Sequence, residues 1–341
     1  MMMKKVQIED CQNIGNLDFI DWEQFRDSTI LITGATGLIG SNLVNAIAYN
    51  SRQKGLDMKL ILPVRNIDAA DMLFGWTKAE IIPYILGTEL KIEKEAEYIV
   101  HLASPTSSKF FSEKPVDTMV TNMEGIKALL EWAVKHPVKK FINLSTMEVY
   151  GFPKKGHKVK ENELGSFDPM NSRNSYPIAK LACEALCNSY HSQFGVPAVT
   201  LRATQTFGPG VKYDDGRVFA QFMRCAIEKK EIVLKSDGLT ERSYLYTADA
   251  VSAILVSMIK AKAGESYTVA NPDTYCSIKE MAQMMGEKVV FDIAKDITTL
   301  GYAETLFMDL DVRKMEGLGW SPKVDLQKMF KRMIRGIGED E

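Results

Sequence analysis

Short apolar runs rich in β-branched residues recur along the first two hundred positions: "STILIT" (28–33), "KLILPV" (59–64), "EYIVHLAS" (97–104), "KKFINLS" (139–145) and "PAVTLRAT" (197–204). Between them the apolar positions return every three or four residues. Examples are the segment opening "GATGLIGSNLVNAIAYN", "PVDTMVTNMEGIKALLEWAVKH" (115–136) and "YPIAKLACEALCNSYHSQFG" (176–195). The first pattern is that of strands buried on both faces, the second that of amphipathic helices. Their alternation predicts a doubly wound α/β domain with a parallel sheet between helical layers.

The pattern loosens after "FGPGVKYDDGR", a loop rich in Gly, Pro and Asp. A helix (218–229), a short strand (231–235) and a helix (247–262) are expected there, with Ser277 and Asp325 in N-cap regions of two further helices. We therefore divide the chain into an N-terminal extension (1–27), a nucleotide-binding domain (28–206, with a returning segment near 247–271) and a smaller C-terminal lobe (207–246 and 272–341). The lobe should close over the carboxyl ends of the strands, where open α/β sheets bind their ligands.

Composition removes several function classes. The chain of 341 residues is 45% hydrophobic and 25% charged, the balance of an ordinary globular protein. A net charge of −2 and the absence of a basic stripe predict no nucleic-acid or membrane partner. No signal peptide or membrane-spanning run is apparent. The five cysteines (Cys11, Cys183, Cys187, Cys225, Cys276) and four histidines show no metal-ligand spacing, so buried free thiols in a reducing cytoplasm are expected. The methionines of "MAQMM" (281–285) read as packing, and the "FKRMIRGIGEDE" ending as a solvated helix and tail.

Three motifs carry chemistry. "TGATGLIGS" spaces Gly34, Gly37 and Gly40 between a strand and a helix, with Thr36, Leu38 and Ile39 filling the turn. Such a turn lets backbone amides and the positive end of the helix approach a pyrophosphate, which implies a dinucleotide on a Rossmann fold. The following strand ends in Arg65 and Asn66, where NAD sites usually place an acid. An arginine there suits the extra phosphate of NADP, so the cofactor reading is NAD with NADP open.

Tyr176 and Lys180 form a YxxxK pair one helical turn apart. A phenol titrates near pH ~10 in water. A neighbouring ammonium and an oxidised nicotinamide would stabilise its phenolate and make it a usable base. Ser145 and Thr146, at a strand end about thirty residues earlier, can hold the reacting alcohol beside it. Glu148, two residues on, adds a carboxylate beside the pair.

In this order the motifs resemble the extended short-chain dehydrogenase/reductase family over nearly the whole chain, nearest its UDP-glucuronate decarboxylases and nucleotide-sugar dehydratases. "HLASP" (101–105) looks like the family's cofactor-lining strand end, which implicates Leu102, Ala103 and Ser104. Asn122 matches its helix asparagine. "EVYG", "DDGRVFAQFM", "TERSYLYTADAVSAIL", "RATQTFGPG" and "LDVRKMEGLGWSP" match other signatures. The resemblance implies that Arg217 and Arg242 face the diphosphate or sugar, and that Gln205 stands where relatives carry an asparagine near the diphosphate. Met147 stands where the dehydratases carry an aspartic acid that helps water leave.

The resemblance implies an NAD-dependent nucleotide-sugar enzyme (4,6-dehydratase, decarboxylase or epimerase) that works through a 4-keto sugar. Tyr176 would be the C4 base, Lys180 would lower its pKa, Thr146 with Ser145 would orient the hydroxyl, and Glu148 would serve C5 or the leaving group. It further implies a homodimer paired through the helices after residues 115 and 176. Two alternatives stay open: an NADPH-dependent reductase, and a catalytically silent cofactor-binding or structural protein.

Overall fold

The computed structural model of the chain describes residues 3–92, 95–105, 107–286, 288–293 and 305–338. The first half alternates as the periodicity predicts. After an initial helix α1 (Lys5–Gly15) come β1 (Thr29–Thr33), α2 (Leu38–Lys54), β2 (Lys59–Val64), α3 (Ile67–Phe74), β3 (Glu80–Pro83), β4 (Tyr98–His101), α4 (Ser108–Glu113), α5 (Pro115–Lys135) and β5 (Lys140–Thr146). A short β6 (Lys158–Val159) precedes α6 (Ser175–Phe194), β7 (Ala198–Ala203) and β8 (Gln205–Phe207). The remainder runs α7 (Val218–Glu228), β9 (Ile232–Leu234), β10 (Glu241–Tyr246), α8 (Thr247–Lys260), β11 (Ser266–Val269), β12 (Asn271–Ser277), α9 (Ile278–Met285), β13 (Val289–Phe291), β14 (Phe307–Leu310), α10 (Arg313–Glu316) and α11 (Leu326–Gly338).

Seven strands form one sheet in the order β11-β7-β5-β4-β1-β2-β3, and every neighbouring pair is parallel. The order reverses between β1 and β4, the switch point at which such sheets open a crevice. Alternate residues of each strand enter opposite cores. Ile30, Ile32, Leu60, Leu62, Val100 and Ile142 pack with Leu43 and Val44 of α2 and Val251, Ile254 and Leu255 of α8. Leu31, Ile61, Ile99 and Phe141 pack with Ile126, Leu129 and Leu130 of α5 and with Cys183 and Cys187 of α6. That is why these strands read as continuous apolar runs rather than alternating ones.

A second sheet, β12-β10-β14-β6 with β8 also on β10, and a two-stranded β9–β13 pair build the smaller lobe. Its core stacks Phe207 on Phe219 (centroids 4.6 Å apart) and adds Phe222, Tyr244, Met281 and Phe330. Met281 is therefore packing as expected, whereas Met284 is exposed. Ser277 caps α9 in a reciprocal box with Glu280, and the Asp325 carboxylate accepts the Lys328 amide at 2.8 Å at the start of α11.

The terminal stretch differs from its reading as a solvated helix. One face of α11 buries Leu326, Met329, Phe330 and Met333 against the core of the smaller lobe, and the N-terminal helix offers acidic partners to its arginines. Arg332 donates to Asp10 (2.8 Å) and Tyr246 (2.8 Å), and Arg335 forks onto Glu9 (2.8 and 2.7 Å). On its other side α1 receives Asn50 of α2, whose amide donates to the Cys11 carbonyl at 2.8 Å. The extension thus ties the first helix after β1 to the last helix of the chain. Residues 339–341 lie outside the described residues.

Candidate active site

The loop between β1 and α2 is built for close backbone approach. Gly34 sits at φ +70°, and a Cβ there would lie 2.6 Å from the Ala103 nitrogen. A Cβ on Gly40 would lie 2.2 Å from the Gly34 carbonyl oxygen. Only glycine satisfies either position. Gly37 caps α2 without any side-chain acceptor, so first-turn amides and the positive helix end are left for a ligand, with Thr36 and Gly37 exposed and Leu38 and Ile39 partly so. This cradle fits a dinucleotide pyrophosphate.

Across the switch point, Leu102, Ala103 and Ser104 leave the end of β4 partly exposed. The Ser104 hydroxyl donates to Asn122 Oδ1 at 2.8 Å, and the Asn122 amide donates to the Thr118 carbonyl at 2.7 Å. Asn122 is therefore buried scaffolding that orients Ser104. At the end of β2, Arg65 is exposed, while the Asn66 side chain accepts the Ala69 amide at 2.9 Å as the cap of α3.

The reactive residues converge at the ends of β5 and α6. Tyr176 is 7% exposed, and the hydroxyls of Thr146 and Ser104 stand near its phenol and favour the phenolate. Thr146 Oγ1 also accepts the Glu148 amide at 3.3 Å, which opens the short turn carrying Glu148. Lys180 is buried and donates from Nζ to the Leu144 carbonyl at 2.8 Å. The expected lowering of the Tyr176 pKa by Lys180 is not found in the protein alone. Burial, followed by the Glu148 carboxylate, raises the phenol above its ordinary value, and the nearby Thr146 and Ser104 hydroxyls oppose this only in part. The Lys180 ammonium is itself depressed by burial.

Glu148 retains 33% of its side-chain surface yet lies deep enough for burial to raise its pKa. Two guanidinium groups act against that rise, first Arg173 and then Arg242. Arg173 approaches Glu148 at 3.5 Å and lies 5.5 Å over the ring of Phe111, whose other neighbour is the stacked ring of Tyr176. Sequence reasoning missed both Arg173 and Phe111. The signal for Arg173 was its place three residues before Tyr176 in "SRNSYPIAK"; for Phe111 there was none, since its ring reaches Tyr176 only through the fold.

The substrate-side assignments divide. Arg242 and Gln205 stand on adjoining strands of the smaller sheet, and Arg242 Nε and Gln205 Oε1 are buried without a protein hydrogen-bond partner. Buried polar atoms left open in this way are suited to a polar ligand. Arg217, by contrast, forks onto Asp215 (3.0 and 2.6 Å) at the start of α7 and stacks over Phe219. Ser145 is also redirected: its hydroxyl donates to Glu184 at 2.5 Å, away from Tyr176, because the buried Glu184 carboxylate stands beside it. Met147 is buried and accepts a contact from Thr204 Oγ1 at 3.1 Å, presenting a thioether between Thr146 and Glu148.

All five cysteines are free thiols, with Cys225 and Cys276 only partly buried. Among the described residues no helix is long and apolar enough to cross a membrane.

Comparison with known proteins agrees with this geometry. Residues 30–271 match the NAD dependent epimerase/dehydratase family. UDP-glucuronic acid decarboxylase 5 of Arabidopsis thaliana is 30% identical over 300 residues, covering 88% of this chain and 86% of that protein. The UDP-glucuronic acid 4-epimerase of Bacillus cereus, solved in complex with NAD, superposes with a TM-score of 0.69 at 25% identity, covering 91% of this chain and 98% of that one. The UDP-glucose 4-epimerase of Thermotoga maritima shares the fold, with a TM-score of 0.75 at 23% identity over 92% of this chain and 99% of that one. The cofactor is therefore NAD, and neither the NADPH-reductase reading nor the silent-protein reading finds support. The chain belongs to the NAD-dependent epimerase/dehydratase family, and it is an enzyme of the nucleotide-sugar group within it.

Proposed function

We propose that the protein oxidises C4 of a nucleotide-linked uronic acid and releases its C6 carboxylate as carbon dioxide. The observation that carries this reading is the charge around Glu148: one carboxylate faces two guanidinium groups, Arg173 and Arg242. Arg242 also keeps a buried Nε without a partner. A site with that surplus of cations suits an anionic sugar, and a guanidinium recognises a carboxylate through paired donors. Curated relatives at similar identity, the Arabidopsis decarboxylases among them, act on UDP-glucuronic acid by their names, which supports the same class.

Bound NAD supplies the hydride acceptor for C4 and a positive charge that favours the phenolate. Tyr176 takes the proton of the C4 hydroxyl, and the Thr146 hydroxyl holds that oxygen in place. Lys180 provides the fixed positive charge behind Tyr176. Once C4 is a ketone, the C5–C6 bond breaks and its electrons pass into the ketone as an enolate. The Glu148 carboxyl, its proton affinity raised by burial, then delivers a proton to C5, and return of the hydride to C4 with the proton held by Tyr176 leaves net loss of carbon dioxide. Met147 offers no acid for the departure of water from C6, which weighs against 4,6-dehydration. Arg217 would contact the nucleotide diphosphate only by leaving Asp215, whereas Gln205 Oε1 is already open, so Gln205 is the stronger assignment.

We also infer a cytoplasmic homodimer paired through α5 and α6. Val116 and Val120 on the outer face of α5 are 70% and 44% exposed, a patch that pairing would cover. Light scattering of the purified protein reads the oligomer directly. For the reaction, the test is incubation with UDP-glucuronic acid, UDP-glucose and dTDP-glucose followed by mass spectrometry. Loss of carbon dioxide from the uronic acid is expected. Loss of water from a neutral sugar, or no change in mass with inverted C4, would replace the proposal with dehydration or epimerisation.

A further inference from the structure

Behind the reactive residues lies a buried polar lattice that the reaction as described does not use. Arg202, on β7, stands opposite Ser145 in the β5–β7 register. It donates to Glu184 from Nε (3.2 and 3.1 Å) and from Nη2 (2.7 Å), and from Nη1 to the Glu161 carbonyl (2.6 Å). Glu184 in turn accepts the Ser145 hydroxyl at 2.5 Å. The side chains of Arg202 and Glu184 are 5% and 10% exposed. We propose that Glu184, held by Arg202, is a positioning residue for hydride transfer: by gripping Ser145 it fixes the end of β5 against α6 and so sets the spacing of Thr146 from Tyr176.

The geometry is that of a ladder. Lys180 and Glu184 are one turn apart on α6, and Leu144 and Ser145 are consecutive on β5. The first rung is Lys180 Nζ to the Leu144 carbonyl, 2.8 Å, and the second is the Ser145 hydroxyl to Glu184. Thr146 directly follows Ser145 on β5 and Tyr176 lies one turn before Lys180 on α6, so both rungs hold the segments that carry the pair. An ion pair this deep costs desolvation that an apolar trio would avoid, so its value to the fold alone is small. A rigid carboxylate that fixes both elements has a use where a displacement of about 1 Å costs on the order of 10²-fold in rate.

Glu184 also acts on Lys180 through space. The groups facing Lys180 are Cys183, Glu184 and Cys187 on its own helix and His101 of β4, which burial keeps neutral. The Glu184 carboxylate helps Lys180 hold its proton against burial.

This inference rests on the reading that Tyr176 and Lys180 serve hydride transfer, and its test separates the two. Ser145→Ala, Glu184→Gln and Tyr176→Phe are compared with the wild-type holoenzyme on the three nucleotide sugars named above. Ser145→Ala and Glu184→Gln should each lose about 10- to 100-fold in kcat with KM within about twofold. The alkaline limb of the rate profile should move to lower pH in Glu184→Gln and stay in place in Ser145→Ala. If Glu184→Gln fails to fold around the unpaired Arg202, Ser145→Ala decides alone. Wild-type kcat in the folded variants beside an inactive Tyr176→Phe overturns the positioning role only; an active Tyr176→Phe overturns the functional reading. Hydrogen–deuterium exchange over residues 143–147 and 176–184 needs no substrate: faster exchange in Ser145→Ala supports the tether, and unchanged exchange refutes it.

Discussion

The ring of Phe111 lies parallel to that of Tyr176, with centroids 4.1 Å apart and planes 6° from coplanar. Phe111 is 2% exposed, and Arg173 lies over its ring as well. The proposed base is thus held on one face by an aromatic residue from a short helix distant in sequence. A stacked pair is worth about 0.5–1.5 kcal/mol beyond its burial. Phe111→Leu should therefore lower kcat by roughly 2- to 12-fold, the rate equivalent of that energy. Steady-state kinetics with KM and kcat separated checks it; an unchanged kcat would show that the stack does not orient the phenol.

Tyr176→Phe keeps that stack and removes only the ionisable oxygen. Hydride transfer should fall by at least ~10²–10⁴-fold, the usual contribution of a general base, while NAD stays bound. Single-turnover reduction of the bound cofactor measures the first quantity, and analysis of the supernatant after denaturation measures the second.

Glu148→Gln should dissociate the two halves of the reaction. C4 oxidation belongs to Tyr176 and Thr146, so addition of substrate should still reduce the cofactor. Turnover should then stall, because glutamine cannot pass a proton to C5. Accumulated absorbance of reduced nicotinamide, with slowed incorporation of solvent deuterium at C5, is the expected result. Normal turnover with normal deuterium incorporation would leave Glu148 a partner for Arg173 and nothing more.

Asp10 sets a pH dependence of stability at the clasp between α1 and α11. Burial raises its pKa from 3.8 to about 6, although Arg332 and the Tyr246 hydroxyl both favour the charged form and Glu9 opposes it. The folded state therefore holds the proton more tightly than the unfolded state. This contribution is fully present below pH 4, is lost as pH rises through 6, and amounts to about 3 kcal/mol. Asp10→Asn should remove it, so the wild type should lose ground to the variant between pH 4 and 7 in thermal melts. A constant difference across that range would mean that the carboxyl titrates alike in both states.

Much of this protein was legible without coordinates where the determinant is local. The continuous apolar runs and the period-3.6 patterns identify β1, β2, β4, β5 and β7 and the helices between them, because a strand buried on both faces must be apolar throughout. The glycines at 34 and 40 announce their turn because only a residue without Cβ fits there. β3 went unread, being four residues long with only partly buried side chains.

What the tertiary structure alone decided is the partner of each polar side chain. Ser145 looked available to a substrate until β7 placed Arg202, and α6 placed Glu184, beside it. Arg217 matched a signature but folds onto Asp215 two residues earlier. Arg173 and Phe111 matched no sought motif, yet they meet Glu148 and Tyr176. Even the Tyr176 phenol, expected to be acidified by Lys180, is held the other way by burial. The sequence by itself determined the family and the cofactor cradle and pointed to the candidate reactive residues, since these rest on backbone sterics and on spacing within one turn. Which charges face one another, and how deeply, depends on segments that only folding brings together, and hydrogen bonding and desolvation act at that range.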